Sequence, residues 1–246
     1  MVNREELKNY CNTYLDIYKF KDYCPNGLQI EGSLNITKIV SGVSANLELI
    51  ERAIEEKADA IFVHHGVFWD NESKTISGAK RAKIALLLKH NINLFGFHLP
   101  LDDHDEVGNN VELGRRLGIK NMEPVAGGLL WQGELNTNIS DFSKLIEEKL
   151  DRAPQVFGKQ SGKIKKISWC TGAAQGFIED AINLNVDLYL SGEVSEKTPA
   201  VAKENNITFI SAGHHATERY GVQALCKHLC SQFKLQHHYI EVDNSV

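Results

Sequence analysis

Short apolar runs alternate with stretches of helical periodicity along most of this chain, and that alternation limits the folds open to it. KIVSGVSA (38–45), ADAIFVH (58–64) and INLFGFH (92–98) read as strands. LELIERAIEEK (47–57) and SGAKRAKIALLLKHN (77–91) separate them and read as helices. The second half repeats the plan, with strands predicted at 165–170, 186–192 and 207–213 and helices at 175–185, 198–206 and 216–229. Strand–helix–strand units of this length build a mainly parallel sheet covered by helices, which is an α/β fold. A first helix over about 4–18 precedes this pattern, and YCPNGLQIEG (23–32), rich in turn residues, reads as a loop.

The two halves also resemble each other. A shift of 128 positions aligns Ile50, Glu51, Ala53, Ile54 and Asp59 with Ile178, Glu179, Ala181, Ile182 and Asp187, and it places His65 opposite Glu193. Identities this dense in a short, gap-free window favour a duplication. With 246 residues the chain can form one large domain or two modest ones. The Gly-rich and then polar segment EPVAGGLLWQGELNTNIS (123–140) is the best boundary, which gives a first lobe over 1–125 and a second over 126–246.

Bulk properties exclude some roles. A net charge of −5 provides no basic footprint for nucleic acid, and Lys163-Ile164-Lys165-Lys166 reads as a solvated strand start. No apolar stretch approaches the roughly 20 residues of a membrane helix. The opening MVNREELKNYCNTYLDI is an acid-containing amphipathic helix rather than a signal peptide. Cys11, Cys24, Cys170, Cys226 and Cys230 form no even, spaced framework and read as reduced thiols, so a cytoplasmic location is expected.

Chemistry concentrates where the predicted strands stop. His64 and His65 end one apolar run. His98, Asp102, Asp103, His104 and Asp105 follow a second, and His214, His215 and Glu218 follow a third. A parallel sheet carries such residues to one edge, where α/β proteins build their sites. Imidazole and carboxylate are ligands for zinc and its neighbours. Adjacent strand residues point to opposite faces, so His64 and His65 would serve two neighbouring ions rather than one. His214 and Glu218 stand four apart and share a face if a helix has begun by 214. His98 and Glu193 are candidates for orienting ligands or carrying protons near them. CTGAAQG (170–176) reads as a tight turn, Cys226 and Cys230 as packed thiols, and Phe68 and Trp69 as packing beside VHHG.

VHHGVFW, FGFHLPLDDH with GNN (108–110), SGEVSE (191–196), AGHHATERYG and YCPNGLQIEG together resemble the NIF-three-like (Ngg-interacting factor) family, whose members are often called GTP cyclohydrolase I type 2 homologues. The motifs run from about residue 20 to 240. The resemblance implies two interlinked α/β lobes, a dinuclear metal centre and a toroidal homohexamer with its sites facing inward. It implies five metal ligands: His64 and His65 from VHHG, Asp102 from HLPLD, and His214 and Glu218 from GHHATE. The position after Asp102 carries a second acid, Asp103, where a small or neutral residue is expected. The cofactors implied are two divalent ions per chain, zinc, manganese, iron or similar.

Two functions of different class follow. One is a dinuclear-metal-dependent hydrolase acting on an unidentified small molecule, with a nucleotide among the candidates. The other is a metal carrier or scaffold without turnover. Five protein ligands shared by two ions leave coordination positions open, which favours catalysis. No membrane partner is expected, and nucleic acid is disfavoured by charge.

Overall fold

The computed structural model describes residues 1–125 and 128–246. Ala126 and Gly127, where the expected lobe boundary falls, lie outside the described residues. Two compact units form from interleaved segments. The first comprises Met1–Gly108 and Gly221–Asp243, and the second Asn109–Tyr220 and Asn244–Val246. Among the described residues no helix is long and apolar enough to cross a membrane.

In the first unit five strands pair in the order Gln236–Tyr239, Lys38–Ser44, Ala60–His65, Asn93–Gly96, Gly27–Ile30. The first three pairings are parallel and the last is antiparallel. Alternate residues of the central strands feed two cores. Ile39, Phe62 and Phe95 pack with Leu7, Cys11 and Leu229. Val40, Ile61 and Leu94 pack with Leu49, Ala53 and Leu87. A strand buried on both faces must be apolar at consecutive positions, which is why these runs are continuous rather than alternating. The segment expected as a loop over 23–32 contains the edge strand Gly27–Ile30.

The second unit holds six strands in the order Lys120–Pro124, Trp131–Asn138, Lys163–Cys170, Leu188–Ser191, Thr208–Ser211, Gln155–Gly158. Here parallel pairing is confined to the middle three strands, and the outer pairings are antiparallel. The sheet is therefore mixed rather than mainly parallel. Lys120–Pro124 and Trp131–Asn138 are joined by too few residues for a crossover, so they pair as antiparallel neighbours.

The internal repeat is visible in backbone detail. Asp59 accepts from the N–H groups of Thr37 and Lys38, and Asp187, at the 128-residue shift, accepts from Lys165 and Lys166. Just before each Asp the helix ends on a left-handed residue, Lys57 at φ 54° and Asn185 at φ 53°. The edge strands Gly27–Ile30 and Gln155–Gly158 obey the same shift. The next helix–strand step is shorter in the second copy: its left-handed terminators are Asn91 and Asn206, and strand Asn93–Gly96 matches Thr208–Ser211. His98 thus corresponds to Gly213 and His65 to Glu193.

Candidate metal centre

In the first unit the strand Ala60–His65 delivers both histidines to its C-terminal end. His64 is buried, and its Nδ1 lies 2.9 Å from the Phe97 carbonyl. A carbonyl only accepts, so Nδ1 carries the proton and Nε2 keeps its lone pair. That Nε2 stands 3.5 Å from Asp102 Oδ1. His65 is held through Nδ1, 3.0 Å from the Ser44 hydroxyl. Asp102 is buried in the short helix Leu99–Asp103, whereas Asp103 turns away to pair with Lys19 at 3.0 Å.

His98 completes a group with His64 and His65 whose candidate ligand atoms lie within 4.8 Å of one another. Its Nδ1 lies 2.9 Å from Asp22 Oδ1. Asp22 also accepts from the Asn26 side chain and the Leu99 N–H, while Asn26 accepts from the His98 N–H. Burial works to raise the Asp22 carboxyl, but His98, Asn26 and the Leu99 N–H outweigh it and bring it down to about 2. Sequence reading missed Asp22, a lone acid in KDYCPNG that only the folded contact with His98 singles out. The same segment braces the VHHG turn: Gln29 accepts from Val67 N–H and lies so close to Gly66 that a Cβ there would come within 2.2 Å of it.

Trp69 meets His98 edge-on at 5.3 Å between ring centres and lies 5.8 Å from His65, so it walls the histidines, while Phe68 packs on the core. His104 serves the loop: its Nε2 contacts the Tyr14 carbonyl, and its Nδ1 accepts from Glu106 and Val107. Asp105 is largely exposed. Cys226 is fully buried, and burial pushes its thiol well up.

In the second unit the helix begins at His214, two residues earlier than the periodicity predicts, so His214 and Glu218 share its first turns. His214 Nδ1 lies 2.7 Å from Glu193 Oε1, and its Nε2 lies 3.1 Å from Glu218 Oε2. Burial disfavours the charged ring, but Glu218 and Glu193 outweigh it and hold its pKa up at about 9. A cation entering here displaces a proton. His215 is buried, and its backbone N–H donates to the Val246 carbonyl. In CTGAAQG, Gly172 sits at φ +67°, and a Cβ there would come within 2.1 Å of Glu218 Oε1. The absence of a side chain at this turn makes room for the carboxylate.

These donors suit a cation. Bonds of about 2.0–2.2 Å place two ligand atoms of one ion roughly 3–3.5 Å apart. The pairs His64–Asp102 at 3.5 Å and His214–Glu218 at 3.1 Å have that spacing. His64, His65 and His214 are each anchored through Nδ1, which directs Nε2 to the site, as ligating histidines are.

A model of the Duf34/NIF3 (NGG1p interacting factor 3) family matches residues 2–245. A protein of Allochromatium vinosum named GTP cyclohydrolase 1 type 2 homolog is 48% identical over 99% of this chain and 98% of its own length. The solved structure of ybgI, described as of unknown function, superposes with a TM-score of 0.94 at 40% identity and covers 100% of both chains. TTHA1606 from Thermus thermophilus follows at 0.90 and 30% identity, again covering 100% of both chains.

Proposed function

The chain belongs to the Duf34/NIF3 family, and on that premise we propose that it is a dinuclear-metal-dependent hydrolase whose two divalent cations are held by His64, His65, Asp102, His214 and Glu218. One observation carries the reading: three imidazoles are fixed through Nδ1 with Nε2 left to ligate, and two of them have a carboxylate oxygen at ligand spacing. Bound there, the cations would bring the pKa of a coordinated water toward neutrality and offset the charge that develops on attack.

The chain's own groups supply the rest. Glu218 has two carboxylate oxygens and so can serve both ions. Asp22 accepts from the His98 Nδ1–H and so keeps the proton there, which leaves Nε2 as a proton acceptor beside His64 and His65. Glu193 keeps the Nδ1 proton of His214 in place and raises that ring's basicity as a ligand. Trp69 closes one side of the histidine group to water.

The name carried by the relatives directs the first assay to GTP, and phosphoesters and cyclic amides suit the same metals. Elemental analysis after reconstitution should give at least two divalent ions per chain. At matched occupancy Glu218→Gln should lose turnover of the substrate, because the carboxylate's geometry as well as metal content positions the attacking water. Saturation at one ion would overturn the dinuclear reading. Equal, negligible turnover by both proteins across the panel would favour a metal carrier or scaffold.

A further inference from the structure

Beside the VHHG histidines, and apart from the five ligands proposed above, lies a donor set containing sulfur. Cys24 is buried, with its thiol beside the Asp22 carboxylate. The same carboxylate accepts a hydrogen bond from the His98 Nδ1–H at 2.9 Å. The side chains of Asp22 and His98 are 3% and 8% exposed. One candidate ligand atom from each of Asp22, Cys24 and His98 lies within 4.8 Å of the other two. Among the described residues, this is the one such group that includes a thiol.

We propose that Asp22, Cys24 and His98 form an accessory site for a soft divalent cation such as zinc, cobalt(II) or cadmium. A sulfur, a nitrogen and an oxygen at this separation are a ligand set those ions accept, whereas magnesium and calcium prefer oxygen alone. The charges balance. In the cation-free protein the imidazole N–H donates to the carboxylate and the thiol S–H lies beside it. On binding, the S–H bond breaks and its proton leaves to solvent. The imidazole proton moves from Nδ1 to Nε2, and three cation–ligand bonds form. Thiolate and carboxylate together then neutralise the dication, so the buried site carries no net charge. Asp22 keeps its bonds from Asn26 and the Leu99 N–H, which hold the carboxylate in place. The 2.9 Å separation of Asp22 and His98 has to open by only a few tenths of an ångström to reach ligand spacing. Occupancy also moves the proton to His98 Nε2 and so removes that nitrogen as a proton acceptor.

Titration of the reduced protein with cobalt(II), read by absorption, tests this. A cobalt–thiolate bond gives a near-ultraviolet charge-transfer band that nitrogen and oxygen ligands do not. The wild type should develop the band and take up one equivalent more than Cys24→Ser. The Cys24→Ser protein should lack the band, and Cys230→Ser should retain it. If Cys24→Ser fails to fold, alkylation and peptide mapping of the wild type with and without cadmium should show selective protection of Cys24. No band at saturating cobalt, a band that survives Cys24→Ser, or no protection of Cys24 would overturn the proposal. The outcome is separable from that of the dinuclear reading. Two equivalents with no band would leave that reading standing and remove this one, and a single thiolate-bound equivalent would do the reverse.

Discussion

Replacing Gly172 by alanine tests whether the second unit's ligand pair is as tightly built as its geometry indicates, and Gly118 provides the control. Both glycines occupy the left-handed region, at φ +67° and +70°, but a Cβ at Gly118 would meet nothing within 4 Å, whereas at Gly172 it would stand 2.1 Å from Glu218 Oε1 and 3.3 Å from His214 Nε2. Gly118→Ala therefore carries only the backbone cost, about 1–2 kcal/mol. For a chain of this size that is roughly 2–8 °C in Tm. Gly172→Ala carries the same cost and must also push the buried carboxylate back by about 1 Å, with overpacking adding about 1–3 kcal/mol. Metal distances tolerate only about 0.2 Å, so the displaced carboxylate no longer matches a cation. At a metal concentration one hundred times Kd, the wild type gains about 2.7 kcal/mol, and a hundredfold loss of affinity reduces that gain to about 0.4 kcal/mol. Calorimetry of the metal-free and metal-loaded proteins reads both effects. Gly118→Ala should keep the metal-induced rise in Tm, and Gly172→Ala should lose most of it. Equal Tm losses with equal metal-induced rises would refute the argument.

Asp102→Asn should lose metal far more readily than Asp103→Asn, because Asp102 is buried 3.5 Å from His64 while Asp103 faces Lys19; metal content after dialysis against a weak chelator decides between them. His237, bonded to the Ser41 hydroxyl, is held down to about 4 by burial, by Lys227 and by His238. Its folded pKa is below the unfolded value, so its contribution is intact above about pH 6.5 and is lost as pH falls toward 4. The wild type should consequently destabilise more steeply across that window than His237→Gln, and parallel denaturation curves would count against it. Light scattering should give the hexamer that the family resemblance implies, and a monomeric mass in dilute buffer would reject it.

The central strands were legible in the sequence because burial on both faces forces continuous apolar runs, and the helices between them because one face repeats every three to four residues. The internal repeat was legible too, since Asp59 and Asp187 do the same work at the same place in each half. Gly27–Ile30 was not legible. It is four residues long at a sheet edge, and its Gln29 is polar because it braces Gly66 rather than a core. The helix Ile139–Leu150 begins at the end of the segment read as a boundary and was not assigned, although Ile139, Phe142, Ile146 and Leu150 mark its buried face and Asn138 its cap. At the site, the ligand candidates stood out as clustered histidines and acids at strand ends. Asp22 did not, because its partner His98 is distant in sequence and no spacing rule links them.

The three anchored imidazoles differ in what anchors them. The carbonyl that holds His64 can only accept, and the carboxylate that holds His214 does the same at neutral pH, so both rings keep their proton on Nδ1. The Ser44 hydroxyl that holds His65 can accept or donate. His65 can therefore turn its proton to Nε2 and still keep its hydrogen bond, at which point it no longer ligates. Of the three rings it is the one whose Nε2 can become a donor without taking up a proton from solution. An ion that leans on His65 should exchange with solution faster than one held by His64 or His214.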